Sequence, residues 1–147
     1  MRNRAVSTTI SYTLTLTIAT LLVTGLVVAG GNFVSDRQTE VVREELSVIG
    51  QQVASDLAQA DRLVRAADRS DPTVTITRAY PERVAGGNYR ISLDPTDDNI
   101  VLESTDPAVT VTVSIVTVTP YGDSSVDGGR VRVIYDDGSS QLEVQND

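Results

Sequence analysis

Uncharged and mostly apolar residues fill the first part of the chain. Positions 6–35 carry no charged side chain, and Ile, Leu, Val and Thr dominate residues 10–29. A bilayer core about 30 Å thick needs about 20 helical residues, and roughly thirty residues would extend about 45 Å. The pattern predicts a transmembrane helix over residues 6–34. Arg2 and Arg4 precede this stretch and Asp36 is the first acidic residue after it, so the positive-inside bias predicts a cytoplasmic N-terminus and an extracellular C-terminal part.

A helical period continues beyond the apolar stretch. Residues 30–32, Gly-Gly-Asn, predict a bend or loosened turn, because each glycine costs about 1 kcal/mol inside a helix. Apolar residues then recur at steps of three and four, at Val42, Leu46, Ile49, Val53, Leu57, Ala60, Val64 and Ala67. Polar residues fall off this stripe at Glu44, Glu45, Gln52, Asp56 and Arg62. The spacing predicts an amphipathic helix over residues 35–71, ending before Pro72 and packing on its own domain and on sister helices rather than in a heptad coiled coil.

From residue 73 the period of the pattern changes to two. Short β-rich segments predict strands at residues 73–80, 88–93, 99–103, 109–119, 130–135 and 141–144. The last two are separated by residues 136–140, Asp-Asp-Gly-Ser-Ser, which predict a hairpin. The predicted fold class is α+β, with a long N-terminal helix followed by a small antiparallel sheet of five or six strands in a head of residues 72–147. The amphipathic helix is expected to cover the apolar side of that sheet.

Composition narrows the function classes. The chain has no cysteine and no histidine, which excludes disulfides, thiol chemistry and the commonest metal ligand and general base. We therefore predict a non-enzymatic protein with no catalytic residues and no cofactor. All 12 basic residues are arginine, against 20 acidic residues and a net charge of −8. This acidic, lysine-free composition predicts a halophilic source, with an acidic mesophilic surface protein as the alternative, and the negative balance disfavours nucleic-acid binding.

A stripe of threonines follows one side of the apolar helix. Its members are Thr9, Thr13, Thr17, Thr20 and Thr24. Hydroxyls on one side of a helix can hydrogen-bond to neighbouring membrane helices, which predicts a helix-packing surface. The alternative is that each threonine donates to the carbonyl four residues earlier in its own helix.

Two acidic loops are candidate calcium sites by composition. Asp94, Asp97 and Asp98 lie in one loop, and Asp136 and Asp137 lie in another. Oxygen-rich loops can hold calcium, but neither loop has the spacing of an EF-hand, and Asp beside Pro or Gly is ordinary turn chemistry. We predict turns and no metal site.

A short motif lies directly before the apolar stretch. Arg4-Ala5-Val6-Ser7 resembles the processing site of archaeal type IV pilins and pilin-like proteins, more particularly those of halophilic archaea. In that family a short basic leader ends in a charged and a small residue, and a membrane-embedded prepilin peptidase cuts before the hydrophobic segment. The resemblance makes Arg4 the charged residue, Ala5 the last residue of a leader at residues 1–5, and Val6 the first mature residue. The chain departs from the pattern at residues 8–11, Thr-Thr-Ile-Ser, where many such pilins have Pro-Val-Ile-Gly.

The resemblance implies a function as well as a cleavage site. It implies a subunit of a type IV pilus-like surface filament, which we predict to be a minor pilin. Its partners would be prepilin peptidase, membrane lipid and the N-terminal helices of other pilin-like subunits. Two other interpretations remain open. A signal peptidase could cut after Ala29 and release a chain starting at Gly30. The protein could also stay uncleaved, as a single-pass membrane anchor for an extracellular binding module or assembly factor.

Overall fold

One long helix precedes all the strands. The computed structural model describes the backbone of residues 3–67 and 72–147, with side chains described from residue 10 onward. Helix α1 covers Asn3–Ala66 and continues through Gly30 and Gly31, so the interruption expected at these glycines is not observed. The chain divides into two compact units, Met1–Arg37 and Gln38–Asp147, and α1 contributes residues to both.

Eight strands follow the helix within residues 72–147. They are β1 (Thr75–Ala79), β2 (Arg83–Val84), β3 (Gly87–Asp94), β4 (Asn99–Thr105), β5 (Ala108–Ser114), β6 (Ser124–Asp127), β7 (Arg130–Asp136) and β8 (Gln141–Asn146). They form two antiparallel sheets. One has the order β1-β7-β8, and the other has the order β2-β3-β4-β5, with β6 also paired to β3. The predicted α+β fold class is therefore confirmed.

The two sheets meet where β6 lies beside β8. The side-chain amide of Asn146 donates to the Asp127 carbonyl at 3.0 Å, and the Asp127 amide donates to Asn146 Oδ1 at 3.2 Å. Nearby, the Val144 amide donates to the Ser124 hydroxyl at 3.2 Å. These side-chain bonds replace a regular ladder between the strands, so the sheets adjoin without merging.

The second part of α1 supplies one side of the hydrophobic core. The predicted stripe is buried at Val42, Leu46, Ile49, Val53, Leu57 and Ala60, whereas Val64 is only partly buried. It packs in one cluster with inward residues of both sheets, including Ile91, Leu93, Ile100, Leu102, Val131, Val133, Leu142 and Val144. Gly50 lies at the closest approach, where an added Cβ would be 2.7 Å from Leu102 Cδ1 and 2.7 Å from Val113 Cγ2. The glycine thus lets helix and sheet pack closely.

Several details of the sequence prediction were wrong. The head contains two sheets and eight strands, because the two-residue strand β2 and the four-residue strand β6 are too short to show a period. The strand predicted over residues 109–119 ends at Ser114, since residues beyond it turn toward α1. Helix α1 ends at Ala66, earlier than expected, and the predicted end at residues 70–71 lies outside the described residues.

Candidate membrane and helix-packing site

The first part of α1 exposes apolar side chains on every side. Each described side chain from residue 10 to 38 is exposed. The large hydrophobic residues among them, half to three-quarters exposed, are Ile10, Tyr12, Leu14, Leu16, Ile18, Leu21, Leu22, Val23, Leu26, Val27, Val28, Phe33 and Val34. An 18-residue window reaches a mean hydropathy of 2.0, long and apolar enough to cross a membrane. A helix that is apolar all round and unburied needs lipid or other helices around it.

The threonines bond within their own helix. The hydroxyls of Thr17, Thr20 and Thr24 donate to the carbonyls four residues earlier at 2.8 to 2.9 Å. Thr15, which is off the stripe, makes the same bond at 2.9 Å. The bond therefore follows from helical backbone geometry rather than from membership of the stripe. Each donor is used internally, while the hydroxyl oxygens keep acceptor capacity toward a neighbouring helix.

The candidate processing residues are described only in part. Arg4, Ala5 and Val6 have helical backbone within α1, and their side chains lie outside the described residues, as does that of Thr9. The structure therefore assigns the whole motif to the same helix as the apolar stretch.

A buried carboxylate joins α1 to β1. Asp56 was expected off the apolar stripe, yet it is 3% exposed. Arg78 donates to it through Nε at 3.0 Å and Nη2 at 2.6 Å, and the Tyr80 hydroxyl donates at 2.8 Å. Burial by itself would raise the pKa of Asp56, but the hydrogen bonds from Arg78 and Tyr80 and the arginine charge outweigh it and hold that pKa below 3.8. The carboxylate thus remains ionised and fixes the helix to the strand.

A second buried carboxylate joins α1 to the segment after β5. Asp61, 4% exposed, accepts from the Thr119 amide at 2.8 Å and the Thr119 hydroxyl at 2.7 Å. It also accepts from the Val118 amide at 3.3 Å and pairs with Arg65 at 3.2 Å. Burial opposes ionisation, but the bonds from Thr119 and the charge of Arg65 lower the pKa of Asp61. Sequence reasoning missed the burial of both carboxylates. Each is next to a residue of the apolar stripe, Leu57 or Ala60, and this position could have indicated that they lie near the core.

The acidic loops serve as turns. Asp94 accepts from the Thr96 amide at 2.9 Å, and Asp136 accepts from the Ser139 amide and hydroxyl at 3.1 and 2.7 Å. The Tyr121 hydroxyl donates to Asp98 at 3.0 Å, and burial together with this bond raises the pKa of Tyr121 to about 12. No group of three or more acidic side chains suited to a metal ion occurs among the described residues.

An open cleft of about 790 Å³ lies between β2, β3 and the β6–β7 turn. Two ion pairs join charged side chains that line it. Arg90 contacts Asp127 at 3.2 Å, and Arg130 contacts Asp147 at 3.6 Å. These are exposed pairs, which contribute little to stability and leave the charges of the cleft largely balanced.

Helix, sheets and apolar surface together define an α+β protein whose described residues include one candidate membrane span, near the N-terminus. The chain belongs to DUF7266, a family of unknown function whose profile matches residues 1–146. No curated protein matches the chain, and no solved structure matches it. The case for a function therefore depends on the residues themselves.

Proposed function

We propose that this protein is a non-enzymatic, pilin-like structural subunit of a cell-surface filament, cut between Ala5 and Val6 by a prepilin peptidase. Before cleavage, α1 anchors the subunit with its N-terminus in the cytoplasm and the β-rich unit outside. After cleavage, the apolar part of α1 moves from lipid into a bundle of like helices.

One observation carries the proposal. A single helix, α1, is mostly apolar and exposed over residues 10–34 and supplies a buried stripe to a β-rich unit from Val42 to Ala60. Exposure of this apolar part to water is unfavourable in free energy unless lipid or other helices cover it. The buried part gives the β unit a stable attachment to the same helix. A filament subunit needs both properties, since one segment must pass from membrane to assembly while the head stays folded.

The charge of the leader affects how readily α1 moves from the bilayer into a bundle of helices. Removal of residues 1–5 takes away Arg2 and Arg4, so the net charge changes from −8 to −10 by subtraction of two positive charges. Two arginines at the cytoplasmic end hold a helix in its membrane orientation, because each is costly to move through the bilayer core. A chain that begins at Val6 has no charged side chain until Asp36, so only its new terminal amine is charged at that end, which lowers this barrier to lateral exit.

A retained single-pass anchor is the second candidate function. The threonine hydroxyls favour it, because Thr17, Thr20 and Thr24 satisfy their donors within α1 and need no neighbouring helix. In that case the β unit acts as an extracellular module that stays at the membrane throughout.

The test is the N-terminus and intact mass of the protein isolated from its native host. We expect a chain that starts at Val6 and is found in sheared surface filaments. In Arg4→Asn and Ala5→Leu variants we expect the uncut chain to accumulate in membranes. Arg2→Asn is the matched control, because it removes the same charge two residues before the motif and should leave cleavage intact.

The outcomes separate the candidates. A chain that retains residues 1–5 and is found only in washed membranes would establish the anchor. A chain that starts at Gly30 would establish secretion of the β unit without a membrane helix. Normal mature protein in both Arg4→Asn and Ala5→Leu would remove the main support for prepilin processing.

A further inference from the structure

Strand β5 forms an edge of the five-stranded sheet. It pairs with β4 from Thr105↔Ala108 to Asn99↔Ser114, and no other described strand pairs with it. The segment that contains it, residues 108–119, has no charged residue and no proline, although 22% of the protein is charged. The outward N–H and C=O groups of such an edge are available to another strand.

The exposed face of this segment is uncharged along its length. Alternate positions are exposed at Ala108, Thr110, Thr112, Ser114, Val116 and Val118. Beyond the end of β5, Val116 is 89% exposed and Val118 is 73% exposed. On the opposite face, Val111 and Val113 are only partly buried although they pack against the core. The sheet therefore ends at β5 with its apolar face incompletely covered.

Other sheet edges usually carry a device that prevents pairing, such as a charge, a proline or a bulge. One edge strand of the three-stranded sheet, β1, carries Arg78, whose side chain is half exposed. Strand β5 has no such residue, and the described part of the chain supplies no segment that covers it. An unprotected edge strand promotes aggregation at a crowded surface unless it is paired within a specific assembly.

We propose that β5 pairs edge to edge with β5 of a second copy, in an antiparallel arrangement about a two-fold axis near Thr112. A second copy of β5 is the partner strand that we propose, because self-pairing of this uncharged segment places no like charges opposite each other. With Thr112 at the axis, Thr110 of each copy lies opposite Ser114 of the other, and both positions are within β5 and exposed. The pairing also places the partly buried Val111 of one copy beside Val113 of the other on the inward face of the joined sheet.

This pairing does not depend on cleavage of the leader. A mature filament subunit and a retained anchor both present β5, and both concentrate the protein at a surface. Confinement raises the effective concentration of the second copy, which favours an interface too small to be stable in dilute solution.

Cysteine cross-linking of the full-length chain in its own membranes tests the pairing directly, because the natural chain contains no cysteine. Single variants Thr110→Cys, Thr112→Cys and Ser114→Cys would be oxidised under identical conditions. Directly opposed residues in an antiparallel pair have Cβ atoms about 4.5–5.5 Å apart, close to the separation a disulfide needs. We expect a disulfide-linked dimer from Thr112→Cys, because only this residue opposes its own copy, and much slower cross-linking from Thr110→Cys or Ser114→Cys alone.

Thr77→Cys on β1 is the matched control, since it places an exposed cysteine on the edge strand of the other sheet. We expect Thr112→Cys to cross-link roughly tenfold faster than Thr77→Cys, the advantage expected from a held pair over random collision. If no β5 cysteine cross-links faster than Thr77→Cys, the proposal is wrong. Cross-linking of β5 cysteines only to a different protein would also overturn it.

A charge at the axis provides a second test. Cells that make both Thr110→Cys and Ser114→Cys chains should form the mixed dimer, because these positions are opposed when Thr112 is central. Adding Thr112→Arg to both chains should suppress that dimer about tenfold, since the introduced arginines would face each other. Thr112→Ser should preserve it. Equal yields for the arginine and serine versions, with unchanged circular dichroism, would contradict the proposed register.

Discussion

Replacement of Asp56 by alanine tests how α1 is held to the sheet. The carboxylate is 3% exposed and accepts two bonds from Arg78 and one from Tyr80. Alanine removes all three bonds and leaves the buried Tyr80 hydroxyl without its acceptor. Asparagine keeps the shape and one acceptor oxygen, so Asp56→Asn is the milder, matched change.

The expected loss of stability comes mainly from the buried Tyr80 hydroxyl and not from the ion pair between Asp56 and Arg78. An unsatisfied buried hydroxyl costs about 1–3 kcal/mol. The ion pair adds little because the Arg78 side chain is 53% exposed and solvent screens it. We expect Asp56→Ala to lower the free energy of unfolding by about 2 kcal/mol and Tyr80→Phe by about 1 kcal/mol. Arg78→Ala should cost less than Asp56→Ala, because Tyr80 still donates to the carboxylate.

Urea unfolding of the full chain in detergent, followed by tyrosine fluorescence, measures these differences. Four of the five tyrosines lie in the unit Gln38–Asp147, so the signal reports that unit. With a slope of about 2 kcal/mol/M, a loss of about 2 kcal/mol lowers the midpoint by about 1 M. A double-mutant cycle of Asp56→Ala with Tyr80→Phe should show strong coupling, since the two side chains share a bond.

Acid should weaken the same contact. The pKa of Asp56 is lowered in the folded state, so its contribution is complete above the unfolded pKa, near 3.8, and is lost as pH falls through the lower folded pKa. Stability should fall below about pH 4, and the Asp56→Asn variant should show a shallower fall. A midpoint for Asp56→Ala within 0.2 M of the natural chain, as a rough limit, or strictly additive effects in the cycle, would refute this reasoning.

Three further changes test other parts of the structure. Gly50→Ala should destabilise by about 1–2 kcal/mol in urea unfolding, because overpacking against Leu102 and Val113 exceeds the gain in helix propensity. Ala85→Gly should raise the free energy of unfolding by about 1 kcal/mol, because Ala85 has φ 47° in a two-residue hairpin turn that favours glycine. Asp61→Ala should speed amide hydrogen exchange at residues 118–119 about tenfold or more, since both amides lose their acceptor.

Each of these changes has a matched control. Gly31→Ala adds a Cβ that meets nothing within 4 Å, so it should not destabilise the protein as Gly50→Ala does. A serine at position 85 should give no gain in stability, because it retains the left-handed penalty. Asp61→Asn keeps an acceptor oxygen and should slow the exchange relative to Asp61→Ala. Equal exchange rates in the two Asp61 variants would show that the acceptor bonds do not hold the segment.

Much of the architecture could be predicted from periodicity. The apolar stripe from Val42 to Ala60 was correct at each predicted position, because a helix against a sheet must bury one side. The β7–β8 hairpin was also correct, since turn residues separate two alternating segments. The short strands β2 and β6 were missed, because two and four residues are too few to establish a period.

The sequence by itself determined the order and type of the main elements and the uncharged stretch suited to a membrane. These properties depend on local pattern and composition, which any segment displays without its neighbours. Only the tertiary structure decided that Asp56 and Asp61 are buried, that Gly50 permits close packing, and that β5 is an edge. Each of these depends on contacts between residues distant in sequence: Asp56 is 22 residues from Arg78, and Asp61 is 58 residues from Thr119. A local pattern carries no information about such partners, because burial and pairing depend on which distant segments the fold brings together.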